Sequence, residues 1–200
     1  MSRKFWILSS VVAFLVFFAV LLVTVSKVYA GLYEAVYAHT NCETSEGIAA
    51  EKHGSLNENL VSDYGVFNEC VTEKDHALTV HEGELDSCVT GAYGACYHLL
   101  QAEYAYNLMA DSHDNGECCA VTGVQLHQEA QAHFDAQQYD DAETDWNTAA
   151  SLFADAASYF QSAWVHDGTF HQEIGEFHGD MDQHYQYHSI CEWPDCTYGR

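Results

Sequence analysis

Basic residues and proline are scarce in this chain. Its 200 residues include six Lys and Arg and one proline against 30 Asp and Glu, so the formal net charge is −24 at pH 7. This balance excludes nucleic acid as a partner, because phosphates bind to a positive patch. The near absence of proline, together with 48% hydrophobic and 14% aromatic residues, predicts a folded core rather than an acidic disordered tail.

The sequence also lacks the motifs of common catalytic sites. It contains no GxSxG, SxxK or HExxH motif, no GxGxxG and no P-loop. Glu73 and His76 have the spacing of a di-iron helix motif, but a second copy is missing, so we attribute the pair to chance. We therefore expect a protein that is not an enzyme.

Acidic residues are absent from the first 30 positions, which instead hold one long apolar run. Phe5–Val25 carries no charge and is long enough, at ~1.5 Å per residue, to cross a ~30 Å hydrocarbon layer. Arg3 and Lys4 before it favour a cytoplasmic N-terminus. The predicted order is a cytoplasmic N-terminus at 1–4, a transmembrane signal anchor at 5–25, a juxtamembrane stalk at 26–41 and an extracytoplasmic domain at 42–200.

The alternative for this segment is a signal peptide cleaved after Ala30. Val28 and Ala30 place small residues at the positions that a signal peptidase requires. The apolar run is longer than the ~7–15 residues usual in a signal peptide, which favours the uncleaved anchor. Both interpretations place residues 31–200 outside the cytoplasm, where we expect the membrane and other proteins as partners.

Residues 31–200 carry every Asp and Glu of the chain but only three basic residues, Lys52, Lys74 and Arg200. Such one-sided charge repels itself at low salt, whereas at about 1 M salt the Debye length falls to ~3 Å. The composition resembles that of proteins from extreme halophiles, especially haloarchaea. The resemblance implies a protein at the surface of a halophilic cell or of a virus of such a cell.

All eight cysteines follow the apolar run. An even number of cysteines in an exported domain predicts a disulfide framework, and eight cysteines allow about 105 pairings. The adjacent Cys118 and Cys119 are expected to bond to two different elements. The disulfide candidates are Cys42, Cys70, Cys88, Cys96, Cys118, Cys119, Cys191 and Cys196.

Apolar residues recur at helical spacing in the outer domain, which predicts a mainly α fold: a transmembrane helix followed by a disulfide-stapled extracytoplasmic helical bundle. Asn-Gly and two cysteines predict a loop at 111–123. Residues 77–81 are predicted as a short strand or a helix edge. Helices are predicted at 44–63, 94–110, 124–137 and 140–165.

Residues 124–165 resemble a tetratricopeptide-like helix hairpin. The match consists of Phe134, Tyr139, Ala142 and Ala149, without the usual glycine before the turn tyrosine. The resemblance implies an αα-hairpin. It does not imply a peptide-binding array, because stacked arrays need about three copies and one is visible.

The C-terminal segment, residues 166–200, is rich in histidine and cysteine. His184 and His188 lie four positions apart, on one helix face, and Cys191 and Cys196 follow closely. These four residues predict a tetrahedral site for zinc or copper, unless the two cysteines are oxidised. A thiol-free alternative set comprises His171, His178, His184 and His188 with Glu173, Glu176, Asp180 or Asp182.

Two functions follow from these patterns. The leading hypothesis is a single-pass membrane-anchored extracellular protein with a structural or protein-interaction role in a surface or membrane assembly. The alternative is an extracytoplasmic module that binds zinc or copper.

Overall fold

The structure, a computed structural model, describes residues 3–54, 56–80 and 90–190. Four long helices make up most of these residues. These ranges contain no strand. The prediction of a mainly α-helical protein is therefore confirmed. The helices are α1 (Arg3–His53), α2 (Leu56–Val80), α3 (Thr90–Asp135) and α4 (Tyr139–Ile190).

Helix α1 runs without a break through the predicted anchor and the predicted stalk. Between Phe14 and Val28 its large apolar side chains are 44 to 67% exposed. Within this segment Thr24 donates hydrogen bonds to the carbonyl oxygens of Val20 and Leu21, at 3.0 and 2.9 Å. The helix therefore contains a segment that is long and apolar enough to cross a membrane.

Residues 1–47 and 120–154 form one compact unit, unit 1. Small residues on α1 face its core, since Ala35, Ala38 and Cys42 are at most 1% exposed. Phe134 near the end of α3 packs against Trp146 of α4, with ring centroids 5.4 Å apart. On α4 the buried stripe of this unit consists of Ala142, Trp146, Ala149 and Phe153.

The turn between α3 and α4 is closed by the two hydrogen bonds of a Schellman motif. The amide of Gln138 donates to the carbonyl of His133, and the amide of Gln137 donates to that of Phe134, both at 2.9 Å. Gln137 has φ of 62°, a left-handed conformation that costs a residue with a side chain about 1–2 kcal/mol. The two predicted helices of the 124–165 segment are thus present, and the tetratricopeptide likeness stays a prediction.

Residues 48–119 and 155–200 form the second compact unit, unit 2. Its core combines apolar side chains of α2, α3 and α4. On α4 these side chains follow helical spacing, which explains why one face is buried. The buried members are Cys70, Ala77, Ala95, Leu99, Ala102, Ala105, Phe170, Ile174, Phe177 and Met181.

The predicted loop at 111–123 is wrong, because this segment is helical and lies inside α3. Its glycines serve packing rather than a turn. A Cβ atom on Gly116 would lie 2.5 Å from Cε1 of Phe160, and one on Gly123 would lie 2.9 Å from Cε1 of Phe153. Of the two alternatives for 77–81, the helix edge is confirmed for residues 77–80, which end α2, and residue 81 lies outside the described residues.

The structure does not support the predicted disulfide stapling. Cys118 and Cys119 are consecutive in a helix with side chains about 100° apart, and neither forms a disulfide with a described cysteine. Burial, with nearby glutamates, raises the pKa of Cys42 and of Cys70 to about 11, so both remain protonated and pack as small apolar residues. Thiols occur at Cys42, Cys70, Cys96, Cys118 and Cys119, whereas Cys88, Cys191 and Cys196 lie outside the described residues.

Candidate functional site

Histidines lie beside carboxylates in both units. In unit 1, His127 Nδ1 is 3.0 Å from Glu46 Oε2. In unit 2, His98 Nδ1 is 2.8 Å from Glu173 Oε2. These contacts follow from the composition, because a chain with so few Lys and Arg has mainly imidazole to offer its carboxylates. In each of two groups in unit 2, three side chains that could ligate a metal ion lie close together.

The first group, which we call the aspartate cluster, consists of Asp63, Asp167 and His171. Asp63 comes from α2, and the other two lie four residues apart on one face of α4. Nε2 of His171 is 3.4 Å from Oδ1 of Asp63 and 3.5 Å from Oδ1 of Asp167. One ligating atom of each residue lies within 4.8 Å of the other two.

Both carboxylates of this cluster are buried, at 2% exposure for Asp63 and 6% for Asp167. Oδ2 of Asp63 and Oδ1 of Asp167 have no hydrogen-bond donor among the described residues. Burial and the contact with Asp167 raise the pKa of Asp63 to about 7, against the lowering influence of His171. Two adjacent buried carboxylates therefore cannot both be ionised cheaply without a positive partner.

Aromatic side chains stand beside the aspartate cluster. The ring of Phe170 is 5.4 Å from that of His171 and 6.1 Å from that of Tyr106. Burial raises the pKa of the Tyr106 hydroxyl, and the Asp63 carboxylate raises it further. Burial keeps water away from the carboxylates, which strengthens any charge interaction there.

The second group, which we call the histidine cluster, consists of His53, His113 and Glu117. Oε1 of Glu117 is 3.2 Å from Nε2 of His53 and 3.9 Å from Nε2 of His113. The two imidazole rings stack with centroids 5.1 Å apart, and both contact the ring of Phe160. This ligand set also suits a transition metal. Its carboxylate, however, is half exposed, so water can solvate the charge.

The structure separates two of the four histidines of the thiol-free set, His171 and His178. His171 belongs to the aspartate cluster, whereas His178 lies with Nδ1 3.9 Å from Oε2 of Glu73 and Nε2 3.9 Å from Sγ of Cys70. Two of the carboxylates predicted with them face His98 instead, since Glu173 is 2.8 Å and Asp180 is 3.9 Å from that ring. His171 and His178 therefore have different partners.

The predicted Cys2His2 site remains a prediction. His184 is fully buried on α4. His188 also belongs to α4, but its side chain, like Cys191 and Cys196 as a whole, lies outside what the structure describes.

Sequence reasoning missed both aspartates of the aspartate cluster. Asp167 and His171 show the four-residue spacing that places two ligands on one helix face, so half of the signal was readable. Asp63 is more than a hundred positions away, on a different helix. Only the packing of α2 against α4 within unit 2 brings it into contact.

A comparison with known protein families gives no match for this chain, and no curated protein or solved structure matches it either. The function is therefore inferred from the residues and contacts of the chain alone.

Proposed function

We propose that this chain is a single-pass membrane protein whose helical domain lies outside the cell. There it has a structural or protein-interaction role in a surface or membrane assembly of a halophilic cell or its virus. The observation that carries the proposal is the apolar surface of α1, exposed from Phe14 to Val28. Contiguous apolar surface is unfavourable in water by about 25 cal/mol per Å² and is stable in lipid.

The polar groups of the same segment support a lipid environment. Thr24 and Ser26 direct their hydroxyls to carbonyl oxygens of their own helix, Ser26 to that of Val23 at 3.0 Å. Hydroxyls bonded in this way need no water. Arg3 and Lys4 before the segment outnumber Lys27 directly after it, which favours the orientation with residues 31–200 outside.

An exposed stripe on α3 supports a protein partner. Tyr97, Leu100 and Tyr104 are spaced as i, i+3 and i+7, which places them on one face of the helix. Their side chains are 59, 62 and 63% exposed. Tyrosine is enriched in protein interfaces, and the net negative charge of the chain disfavours nucleic acid and anionic lipid.

The assembly can be tested with the full chain extracted from its native membranes in mild detergent. We expect the wild type to migrate in a complex larger than the single chain, and we expect Leu100→Glu to release it from that complex. Gln128→Glu is the matched control, because it adds the same charge at another exposed position of α3. Migration of the wild type as a single chain would contradict the proposed role, as would an unchanged complex with Leu100→Glu.

A further inference from the structure

We infer that Asp63, Asp167 and His171 bind a divalent transition-metal ion, and that Zn²⁺ is the ion that fits their arrangement best. The inference does not depend on the proposed membrane topology or interaction role. It concerns side chains of α2 and α4 within unit 2 only.

The distances from His171 to the two carboxylates suit ligands better than hydrogen bonds. Charge-assisted hydrogen bonds between nitrogen and oxygen are about 2.7–2.9 Å long. The imidazole Nε2 is instead 3.4 and 3.5 Å from the two carboxylate oxygens. Two ligand atoms about 2.1 Å from a tetrahedral zinc ion lie about 3.4 Å apart. The two separations from Nε2 therefore match two edges of a tetrahedron around zinc.

The charges of the cluster also favour a bound cation. When both aspartates are ionised, a protonated His171 neutralises only one of them. The two lysines after residue 30 are engaged elsewhere, Lys52 with Gln161 Oε1 at 2.6 Å and Lys74 with Asp75 at 2.7 Å. A divalent ion would neutralise both carboxylates and leave His171 as a neutral ligand. It would also give a partner to Oδ1 of Asp167, which lacks a hydrogen bond.

The surroundings permit entry and orientation of an ion. The His171 side chain is 54% exposed, so an ion can reach the buried carboxylates past its ring. The amide nitrogen of Asn59 lies 3.5 Å from Oδ2 of Asp167 and can orient that carboxylate from outside the coordination sphere. Three protein ligands leave the fourth tetrahedral position to water.

The test uses the full chain without a histidine tag, purified in detergent, stripped with a chelator and titrated with Co²⁺ as a spectroscopic substitute for Zn²⁺. Cobalt reports tetrahedral geometry in its visible spectrum and shows thiolate ligands by a separate charge-transfer band. We expect each chain to bind one equivalent of Co²⁺ through nitrogen and oxygen ligands only, and we expect Zn²⁺ to displace it. We expect His171→Gln and Asp63→Asn to weaken its affinity by about tenfold or more.

His178→Gln is the matched control, because His178 lies on the same helix, is also 54% exposed and also faces a carboxylate. This variant should bind the same equivalent as the wild type. The inference is overturned if the wild type binds no Co²⁺ in this way, or if His171→Gln binds Co²⁺ as tightly as the wild type does. It is also overturned if His178→Gln loses Co²⁺ binding as much as His171→Gln does. Because His171 is half exposed, its substitution decides the outcome even if Asp63→Asn fails to fold. Circular dichroism of each metal-free variant checks the fold.

Discussion

Replacement of Gly116 by alanine should destabilise the protein, although alanine is the better helix former. In the structure a Cβ atom at this position would lie 2.5, 2.7 and 3.0 Å from three carbons of the Phe160 ring, where ordinary contact is 3.4–4 Å. The ring would have to move by about 1 Å. Phe160 is only 1% exposed and also contacts the rings of His53 and His113, so its movement would displace these rings too.

Two opposing contributions set the magnitude. Alanine in place of glycine within a helix stabilises it by about 1 kcal/mol. Overpacking of a buried contact costs about 1–3 kcal/mol. The free energy of unfolding should therefore fall by about 1 kcal/mol on balance, which lowers the melting temperature by about 2–4 °C for a chain of this size.

The assay is thermal unfolding of the full chain in detergent, followed by circular dichroism. Gly175→Ala is the matched control, because a Cβ atom on this helical glycine of unit 2 would meet no neighbouring side chain within 4 Å. Its melting temperature should rise by about 2–4 °C. The reasoning is refuted if Gly116→Ala stabilises the protein as much as Gly175→Ala does, since α3 would then not pack closely on Phe160.

Three further outcomes are expected. Phe177→Ala should reduce the free energy of unfolding by about 3–5 kcal/mol, because it empties a fully buried site; a loss below about 1 kcal/mol in a denaturant titration would contradict the core of unit 2. Gln137→Gly should raise the melting temperature by relieving a left-handed conformation that costs about 1–2 kcal/mol, and a decrease would count against the Schellman turn. The pKa values of Cys42 and Cys70 are raised to about 11, so at pH 8 both should react with iodoacetamide far more slowly than the exposed Cys118. Their reaction rates, followed by mass spectrometry, should rise with pH towards 11 as the thiolate forms. Rates equal to that of Cys118 would show that the two thiols are not buried.

Helices with a one-sided apolar pattern could be predicted from the sequence. The stripe of Ala142, Trp146, Ala149 and Phe153 repeats at helical spacing, and the same residues are buried on α4. The segment around Gly116 was mispredicted for a physical reason. A glycine after asparagine is typical of a turn, but the same residue also allows an aromatic ring to approach a helix closely. Spacing along the chain does not distinguish these two uses.

The candidate site shows the same limit. Asp167 and His171 share a helix face that can be read from their spacing, whereas Asp63 joins them only through the register of α2 against α4. That register is set by the fit of many side chains in unit 2, among them Phe170 and Phe177. No local pattern in the sequence specifies which position of α2 will face which position of α4.

The central claim, an anchored chain with its acidic domain outside, is tested most directly by the accessibility of a C-terminal epitope tag. An antibody added to intact producing cells should bind a tag that follows Arg200, and it should bind an N-terminal tag only after the membrane is permeabilised. A C-terminal tag that becomes accessible only on permeabilisation would contradict the account.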